Sequence, residues 1–309
     1  MRWSDRIGRR IKLRDLHILQ AAAEAGSMAK AATDLGISQP AVSYAVAEME
    51  DVLGVPLLDR TSKGVTPTAY GRALLERSVV AFNELRQGIN DIEHLADPAV
   101  GELHLGIPPA LSAIASAVIN RLILQYPRMV FHLVVEPASV LIPELRRRNI
   151  ELAIRRMVDS AEEDMKAQVL FHDELAVICG KHNRWARRTS VKLSELMDEP
   201  WALWPPSSFL GLLIRDAFAA RGLEVPRATV STPSTDAINV LVANGPFLTI
   251  LPGTMLRLPR KHPLLSAIAV DMRTTRKPIC LITLRNRSLS PAARLFTETA
   301  SAVAKATLR

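Results

Sequence analysis

Two short helices joined by a three-residue turn constrain the fold of this chain more than any other feature. Residues 28–35 (MAKAATDL) carry apolar side chains at helical spacing, and Gly36 is the residue type that ends a helix in a left-handed conformation. Ser38 can cap the next helix after Gly36 and Ile37 alone, and Pro40 falls in its first turn, where a missing N–H does no harm. The pattern predicts a helix-turn-helix.

The flanking segments extend this motif. Residues 13–25 predict an amphipathic first helix that ends at Gly26, and Val55 to Leu58 and Gly64 to Thr66 predict two short strands around the polar tip 60–63. The apolar positions expected to face inward on the three helices are Leu13, Leu16, Leu19 and Ala23, then Ala29, Ala32 and Leu35, then Val42, Val46, Met49 and Leu53. Residues 1–67 are therefore predicted to form a winged helix-turn-helix domain.

A long helix is predicted next, because no proline occurs between Thr68, a suitable N-cap, and Leu95. One stripe of this helix alternates at spacings of four and three through Leu74, Ser78, Ala81, Leu85, Gly88, Ile92 and Leu95. Two interpretations stay open: a dimer seam, which the length of the helix favours, or packing against its own domain. Residues 68–97 are assigned to this linker helix.

From residue 98 onward, short apolar strands alternate with helical stretches. Segments such as ELHLGI, VFHLVV and ELAIRR have the length and composition of buried strands. Alternation of this kind predicts an α/β domain over residues 98–309 with mainly parallel strands, and its length suits two lobes.

Charge is distributed unevenly along the chain, which has a net charge of +8. Residues 1–97 carry 12 basic and 13 acidic residues, whereas residues 98–309 carry 27 and 18. The global charge is therefore poor evidence for DNA binding. Residues 1–14 are an exception, with six basic residues against one acid; they could lie along DNA phosphates or be a frayed, solvated terminus.

Several function classes find no support in the sequence. Cys179 and Cys280 lie in apolar surroundings and are expected to be reduced core residues of a cytoplasmic protein, and no export signal or membrane-spanning run is present. The seven histidines show no metal-ligand spacing, and no phosphate-binding, dinucleotide-binding or nucleophile-elbow motif occurs. We therefore expect no metal, no cofactor, no membrane partner and no enzymatic activity.

Residues 13–71 resemble the N-terminal domain of LysR-type transcriptional regulators. The resemblance is carried by residues 38–43 (SQPAVS), the Ala31-Ala32 pair, Leu53-Gly54 and Arg60, in matching order and spacing. Tyr44 departs from the pattern, since the family often has a basic residue there. The resemblance implies a sequence-specific regulator that binds promoter or operator DNA as a double strand, associates as a dimer or a tetramer, and has RNA polymerase as a candidate partner.

Within this motif, the start of the third helix is expected to read bases. Gln39 and Ser43 are assigned to base edges and Pro40 to a thymine methyl group, while Tyr44 could reach a phosphate or a base step. The alternative for Gln39 and Ser43 is an ordinary solvated helix start. The full predicted DNA-binding set, with the two helix-capping serines and the wing, is Ser27, Ser38, Gln39, Pro40, Ser43, Tyr44, Arg60 and Lys63.

For the rest of the chain, the resemblance implies two Rossmann-like lobes of the type-2 periplasmic-binding-protein kind, with a small-molecule effector in the cleft between them. Lobe 1 would be residues 100–173 and 273–309, and lobe 2 residues 174–272. Ligands of such sheets lie at the carboxyl ends of strands, near helix N-termini that attract anions, so an anionic effector is a candidate. The predicted effector-binding set is Pro109, Ala110, Ser139, Arg156, Ser207, Phe209, Thr232 and Ser234.

Two of these residues have structural alternatives: Ser139 could be a helix cap and Arg156 a charge that bridges the lobes. At the level of function, the alternatives are a small-molecule-binding protein without a promoter-specific role and a DNA-architectural protein. The attached helix-turn-helix disfavours the first alternative. The second would not need a two-lobed domain of about 200 residues.

Overall fold

The structure is a computed structural model that describes residues 10–62, 64–97, 99–157, 162–258 and 263–307. Its contacts divide the chain into two compact units, residues 1–86 and 87–309. In the part of the chain that is described, no helix is both long and apolar enough to cross a membrane.

The N-terminal unit is a winged helix-turn-helix, as predicted. Its elements are α1 (Leu13–Ala25), α2 (Met28–Leu35), α3 (Gln39–Leu53), β1 (Leu58–Thr61), β2 (Gly64–Pro67) and the first part of α4 (Ala69–Ala96). The side chains of Ser27 and Ser38 cap α2 and α3 by accepting hydrogen bonds from the Lys30 and Ala41 amides. Gly36, with a φ of 65°, ends α2 in the left-handed conformation that glycine adopts at little cost.

The buried faces of α1 and α2 differ from the predicted ones. On α1 the buried residues are Ile18, Leu19 and Ala22, whereas Leu13 is 50% exposed because it begins the helix, beyond the edge of the core. On α2 the buried residues are Met28, Ala31 and Ala32, so the inward face starts one residue before the predicted Ala29. The third helix buries Val42, Ala45, Val46, Met49 and Val52.

The wing begins three residues later than the sequence indicated. Residues 55–57 connect α3 to the wing, and their position is fixed by the Glu50 carboxylate, which accepts hydrogen bonds from the amides of Leu57 at 2.7 Å and Leu58 at 3.2 Å. Arg60 consequently lies on β1, paired in register with Val65, instead of at the tip. Lys63 lies outside the described residues.

Close backbone contacts hold the wing against the helices. An added Cβ at Gly64 would lie 2.2 Å from the carbonyl oxygen of Gly26, and one at Gly71 would lie 2.0 Å from that of Leu57. Both positions therefore exclude a side chain. Thr68 caps α4, as predicted, by accepting a hydrogen bond from the Gly71 amide at 3.0 Å.

The two halves of α4 have different surroundings. Leu74 and Leu75 pack against the core of the N-terminal unit, and Ser78 is buried. The apolar residues of the second half are exposed: Leu85, Ile89, Ile92 and Leu95, at 49%, 58%, 67% and 79%. The first half of α4 therefore packs against its own domain, whereas the apolar side chains of the second half are not buried by any described residue.

The C-terminal unit is built on two main sheets. The first has the strand order β4-β3-β5-β12-β6 and the second the order β10-β7-β11, with a short β8-β9 pair beside it. The strands are β3 (Val100–Ile107), β4 (Arg128–Val135), β5 (Leu152–Arg156), β6 (Met165–Asp173), β7 (Leu175–Gly180), β8 (Ala202–Leu203), β9 (Val230–Ser231), β10 (Thr249–Pro252), β11 (Leu265–Ala267) and β12 (Lys277–Leu284).

Helices cover these sheets. They are α5 (Ser112–Gln125), α6 (Ala138–Arg146), α7 (Phe209–Ala219), α8 (Thr235–Asn244), α9 (Thr254–Arg257) and α10 (Pro291–Thr307). The second sheet packs with α7 and α8 around the buried Trp201 and Phe218. The first sheet packs with α5 and α10 on one face around Phe296, and with α6 on the other face around Leu145.

The prediction of mainly parallel strands is wrong. The strands joined by α5 and α6 are parallel, namely β4 to β3 and β3 to β5. In contrast, β12 runs antiparallel to both β5 and β6, and β7 runs antiparallel to both of its neighbours. Parallel pairing needs a crossover connection, and β12 instead enters the first sheet directly after a short 3-10 turn at Arg273–Thr275.

The chain crosses between the two sheets twice. The first crossing is at Glu174, between the end of β6 and the start of β7, and the second precedes Lys277, where β12 begins. Asp173 and Lys277 are register partners, so the two crossings lie side by side. A hydrogen bond of 2.9 Å from the Leu175 amide to the Thr275 hydroxyl links them.

Candidate functional site

The start of α3 presents an uncharged polar surface. Ser38, Gln39, Pro40 and Tyr44 are exposed, Tyr44 to 69%, and Ser43 is half-buried. The first acid on this helix is Glu48, so residues 39–47 carry no charged side chain. The positive end of a helix dipole without nearby carboxylates suits contact with a polyanion such as DNA.

Other elements of the N-terminal unit carry exposed cations. Lys30 on α2 and Arg60 on β1 are both exposed. Arg10, next to the charged terminus, is exposed as well, whereas residues 1–9 of that terminus lie outside the described residues. The hydroxyl groups of Ser27 and Ser38 cap α2 and α3, each accepting a hydrogen bond of 3.4 Å from a backbone amide of the first helical turn.

A second candidate site is a cavity of about 340 Å³ in the C-terminal unit. It lies at the carboxyl ends of β3, β4 and β5, where open α/β sheets bind ligands. Residues from the part of the chain that builds the second sheet form the opposite wall of the cavity. Its lining comprises Pro108, Pro109, Ala110, Leu111, Val135, Glu136, Pro137, Ala138, Arg155, Arg156, Trp204, Ser208, Phe209, Leu210, Pro233 and Pro252.

The walls of this cavity are mainly apolar. Five prolines, the indole of Trp204 and the ring of Phe209 line it, and Phe209 is 45% exposed. Two donors of the lining have no hydrogen-bond partner among the residues that the structure describes: the Nε of Arg155 and the indole Nε1 of Trp204. Buried donors normally find an acceptor, so a ligand with an acceptor oxygen would complete them.

The guanidinium of Arg156 is already engaged. It donates to a carboxylate oxygen of Asp173 at 2.9 Å and to the Asp173 backbone carbonyl at 2.8 Å, and its side chain is only 3% exposed. Burial lowers the pKa of Arg156 and the Asp173 carboxylate opposes that shift, so the guanidinium stays charged. Asp173 ends β6 of the same sheet, so Arg156 reaches the second lobe only through Asp173.

Asp173 joins both lobes through the same carboxylate. Besides Arg156, its oxygens accept hydrogen bonds from the Thr254 amide and hydroxyl, both at 3.1 Å, and from Arg257 at 2.8 Å. Asp173 is fully buried, and these four contacts satisfy the polar oxygens that burial removes from water. The sequence placed the chain crossing near this residue but gave no sign of the cluster.

The structure brings together half of the predicted effector set. Pro109, Ala110, Arg156 and Phe209 are lining residues, whereas Ser139, Ser207, Thr232 and Ser234 are outside the lining. Ser234 caps α8 by accepting from the Ala237 amide, and the Thr232 hydroxyl accepts from the Ser234 amide. Ser139 and Ser207 are exposed. These four serine and threonine residues are not part of the cavity lining, and their role in effector binding stays a prediction.

Comparison with known proteins identifies the family. Residues 13–72 match the family described as bacterial regulatory helix-turn-helix protein, lysR family, and residues 96–305 match the LysR substrate binding domain. The chain belongs to the LysR family. Its function is therefore that of a LysR-type transcriptional regulator, with a DNA-binding N-terminal domain and an effector-binding C-terminal domain.

Two curated LysR relatives cover most of this LysR chain. It is 30% identical to the HTH-type transcriptional regulator TdcA of Escherichia coli (strain K12), over 79% of this chain and 78% of TdcA. It is 26% identical to the transcriptional dual regulator GltC of Bacillus subtilis (strain 168), over 93% and 96% of the two chains.

Solved LysR structures share the fold. Full-length CbnR complexed with its target DNA matches with a TM-score of 0.70 at 20% identity, over 94% of this chain and 98% of that one. Full-length BenM matches with a TM-score of 0.55 at 20% identity, over 96% and 97%.

Sequence reasoning missed Trp204 of this LysR effector domain, which lines the cavity just before α7. Ser208, which caps α7, and Arg155 also line the cavity, and each is the chain neighbour of a residue in the predicted effector set. The carboxyl-end rule applies to both members of each of these pairs, and sequence alone does not say which member lines the cavity.

Proposed function

We propose that this regulator reads operator DNA with the start of α3 and responds to a small apolar monocarboxylate bound in the cavity at the strand ends. The observation that carries the proposal is the Nε of Arg155, which has no partner among the described residues, in a mainly apolar lining. The cation would fix the carboxylate and the apolar walls would select the rest of the ligand.

The base-reading residues we propose are Gln39 and Ser43, with Pro40 against a thymine methyl group and Tyr44 at the sugar-phosphate backbone. Exposure of Gln39, Pro40 and Tyr44 on one uncharged surface supports this assignment. Arg60 and Lys63 of the wing and Lys30 of α2 would contact phosphates or the minor groove. We assign Ser27 and Ser38 to capping and thereby to positioning of the helices.

The charged residues of the effector domain narrow the chemical class of the effector. Glu136 also lines the cavity and would repel a second carboxylate, so a dicarboxylate fits less well than a monocarboxylate. The positive balance of residues 98–309, with 27 basic and 18 acidic residues, favours encounter with an anion. The volume of about 340 Å³ falls at the small end of ligand pockets.

We further propose that the second half of α4 is a dimer seam, and that two dimers can assemble into a tetramer on an operator with two half-sites. The exposed Leu85, Ile89, Ile92 and Leu95 support the seam. A promoter-bound regulator has RNA polymerase as a candidate partner and works in the cytoplasm, where that DNA lies. Its sites are made of binding groups, so we assign it no catalytic role.

A thermal-shift screen of the full chain tests the effector class. Aromatic and aliphatic monocarboxylates should raise the unfolding temperature, since a ligand that binds the folded form stabilises by RT ln(1+[L]/Kd). Dicarboxylates, neutral sugars and hydrophobic amino acids are screened for comparison. Amino acids are included because their ammonium group could pair with Glu136 while their carboxylate pairs with Arg155. A shift with dicarboxylates or sugars alone would refute the proposed class.

Two variants separate the site from general effects. Arg155→Leu should abolish the shift, whereas Arg188→Leu, which removes an exposed cation elsewhere on the second lobe, should retain it. An unchanged shift in Arg155→Leu would exclude Arg155 as the anchor.

Footprinting tests the DNA assignment. Gln39→Ala should weaken operator binding by about 1 to 3 kcal/mol per half-site, the usual cost of one good base contact, and leave binding to unrelated DNA unchanged. Glu48→Ala, on the same helix beyond the uncharged surface, is the matched control. Full operator protection by Gln39→Ala would show that this residue is only a solvated helix start.

A further inference from the structure

Three potential metal ligands meet on the first sheet, away from the effector cavity. Glu102 and His104 are two residues apart on β3, so their side chains share one face of the sheet. His132 on the neighbouring β4 is the register partner of His104. The pairing of the two parallel strands thus places two imidazoles and one carboxylate side by side.

The ligand atoms of these side chains are already close together. The Nε2 of His104 lies 2.7 Å from Oε1 of Glu102, and the Nε2 of His132 lies 3.0 Å from the same oxygen. One ligand atom from each of the three residues lies within 4.8 Å of the other two. Ligands of a tetrahedral zinc ion are about 3.3 Å apart, given bonds of about 2.0 to 2.1 Å, so small movements would admit an ion.

The two imidazole rings need a further adjustment. They are stacked, with centroids 4.2 Å apart and planes inclined by 13°, and their lone pairs must turn toward one point to share an ion. The side chain of His132 is 47% exposed and can rotate, while His104, at 24%, is held more firmly. Solvent on the His132 side would supply the fourth ligand.

We propose that Glu102, His104 and His132 form a binding site for a first-row divalent transition metal ion, with zinc as the best fit. Two neutral imidazoles and one carboxylate are a donor set that zinc favours, and they leave one coordination position open. Calcium and magnesium are poor candidates because they prefer sites made of oxygen ligands alone.

The metal site and the effector cavity occupy different parts of the same strand. His104 precedes Pro108, the first cavity residue after β3, by four residues, which corresponds to about 13 Å along an extended strand. Metal binding is therefore an input separate from the effector, and it does not depend on the effector class proposed above.

Titration of the untagged full chain with zinc chloride, after treatment with a chelator, tests the proposal. Calorimetry should show one ion per chain, and cobalt(II) in place of zinc should give the visible absorption of a four-coordinate site. Affinity should fall as the solution is made acidic, because the imidazoles must be neutral to bind. A chain that binds no zinc, or that binds magnesium equally well, would overturn the assignment.

Variants locate the ion. His132→Ala and Glu102→Gln should each weaken zinc binding by about tenfold or more, since loss of an outer-sphere partner alone costs 10- to 100-fold. His132 is exposed, so its truncation should leave the circular dichroism spectrum unchanged. His182→Ala, which removes an exposed histidine of the second lobe, is the control. Equal zinc affinity in His132→Ala and His182→Ala would place the ion elsewhere and refute this site.

Discussion

Glu151 shows how one buried side chain fixes a helix. Its carboxylate accepts hydrogen bonds from the Ser290 amide at 2.5 Å and the Ser290 hydroxyl at 2.8 Å, and that hydroxyl in turn accepts from the Ala293 amide at the start of α10. Burial nevertheless raises the pKa of Glu151, more than these hydrogen bonds lower it. Keeping the carboxylate ionised therefore costs folding free energy near neutral pH.

We expect Glu151→Gln to stabilise the chain increasingly as pH rises. A carboxyl group whose pKa is raised on folding contributes stability that is present below the unfolded pKa and is lost as pH rises through the folded pKa. Glutamine can accept from the Ser290 amide through Oε1 and donate from Nε2 to the Ser290 hydroxyl, so both contacts persist, the second with its direction reversed, without that loss. Thermal unfolding of variant and parent at pH 4.5, 6 and 8 should give a difference near zero at the lowest pH and positive at the highest.

A difference that grows toward low pH would contradict this interpretation of Glu151. Glu144→Gln serves as a control, because its carboxylate is only half-buried and pairs with Arg147 and Asn149.

Single residues also mark where the sequence was insufficient. The capping serines and helix-ending glycines act locally, so Ser27, Ser38 and Gly36 could be placed from sequence alone. Which hydroxyl or cation lines the effector cavity depends on the registers of strands far apart in the chain. The sequence therefore found Phe209 but chose Ser207, which lies one position away from the lining residue Ser208.

At the scale of elements, the local sequence predicted whether a segment is a helix or a strand better than it predicted the direction of a strand or the buried face of a helix. Short apolar runs revealed β3, β4 and β5, yet nothing within residues 277–284 indicates that β12 enters the same sheet antiparallel to β5. Likewise, α1 has apolar residues on more than one face, and only packing against α2 and α3 decides that Leu13 stays exposed.

The linker helix carries the element-scale prediction. Ile92→Asp should convert dimers to monomers, because the exposed Ile92 belongs to the proposed seam and a carboxylate there would be costly to desolvate. Light scattering measures the change in mass. Arg86→Asp, on an exposed position of the same helix outside the apolar stripe, controls for charge alone. Dimers that persist in Ile92→Asp would remove the second half of α4 from the interface.

For the molecule as a whole, the distribution of charge leads to a prediction about DNA affinity. Residues 15–70 carry three basic and seven acidic residues, so the reading domain supplies little of the attraction that DNA phosphates demand. Residues 1–14 carry six basic residues and one acid. We propose that this terminus contributes phosphate contacts, although residues 1–9 lie outside the described residues.

Deletion of residues 2–10 should flatten the slope of log K against log salt by about two to four units per dimer, since each neutralised phosphate adds about 0.9. Binding to all sequences should weaken alike. Binding isotherms at several salt concentrations measure the slope, and replacement of the same segment by an uncharged one of equal length separates charge from length. A slope equal to that of the parent would show that the terminus makes no contact with DNA.

The paired crossings between the two sheets of the effector domain have a mechanical consequence. The two adjacent crossing segments, joined by the hydrogen bond from Leu175 to Thr275 of the 3-10 turn, can bend together. Twisting would break the Asp173 cluster, which connects β5 to α9 at the same place. The easiest motion of the cleft is then a hinge bend that changes its opening angle. Larger ligands in the same cavity would hold the cleft at a wider angle. A series of homologous acids should therefore act as graded agonists. The distance between spin labels on the two lobes should increase in the same order.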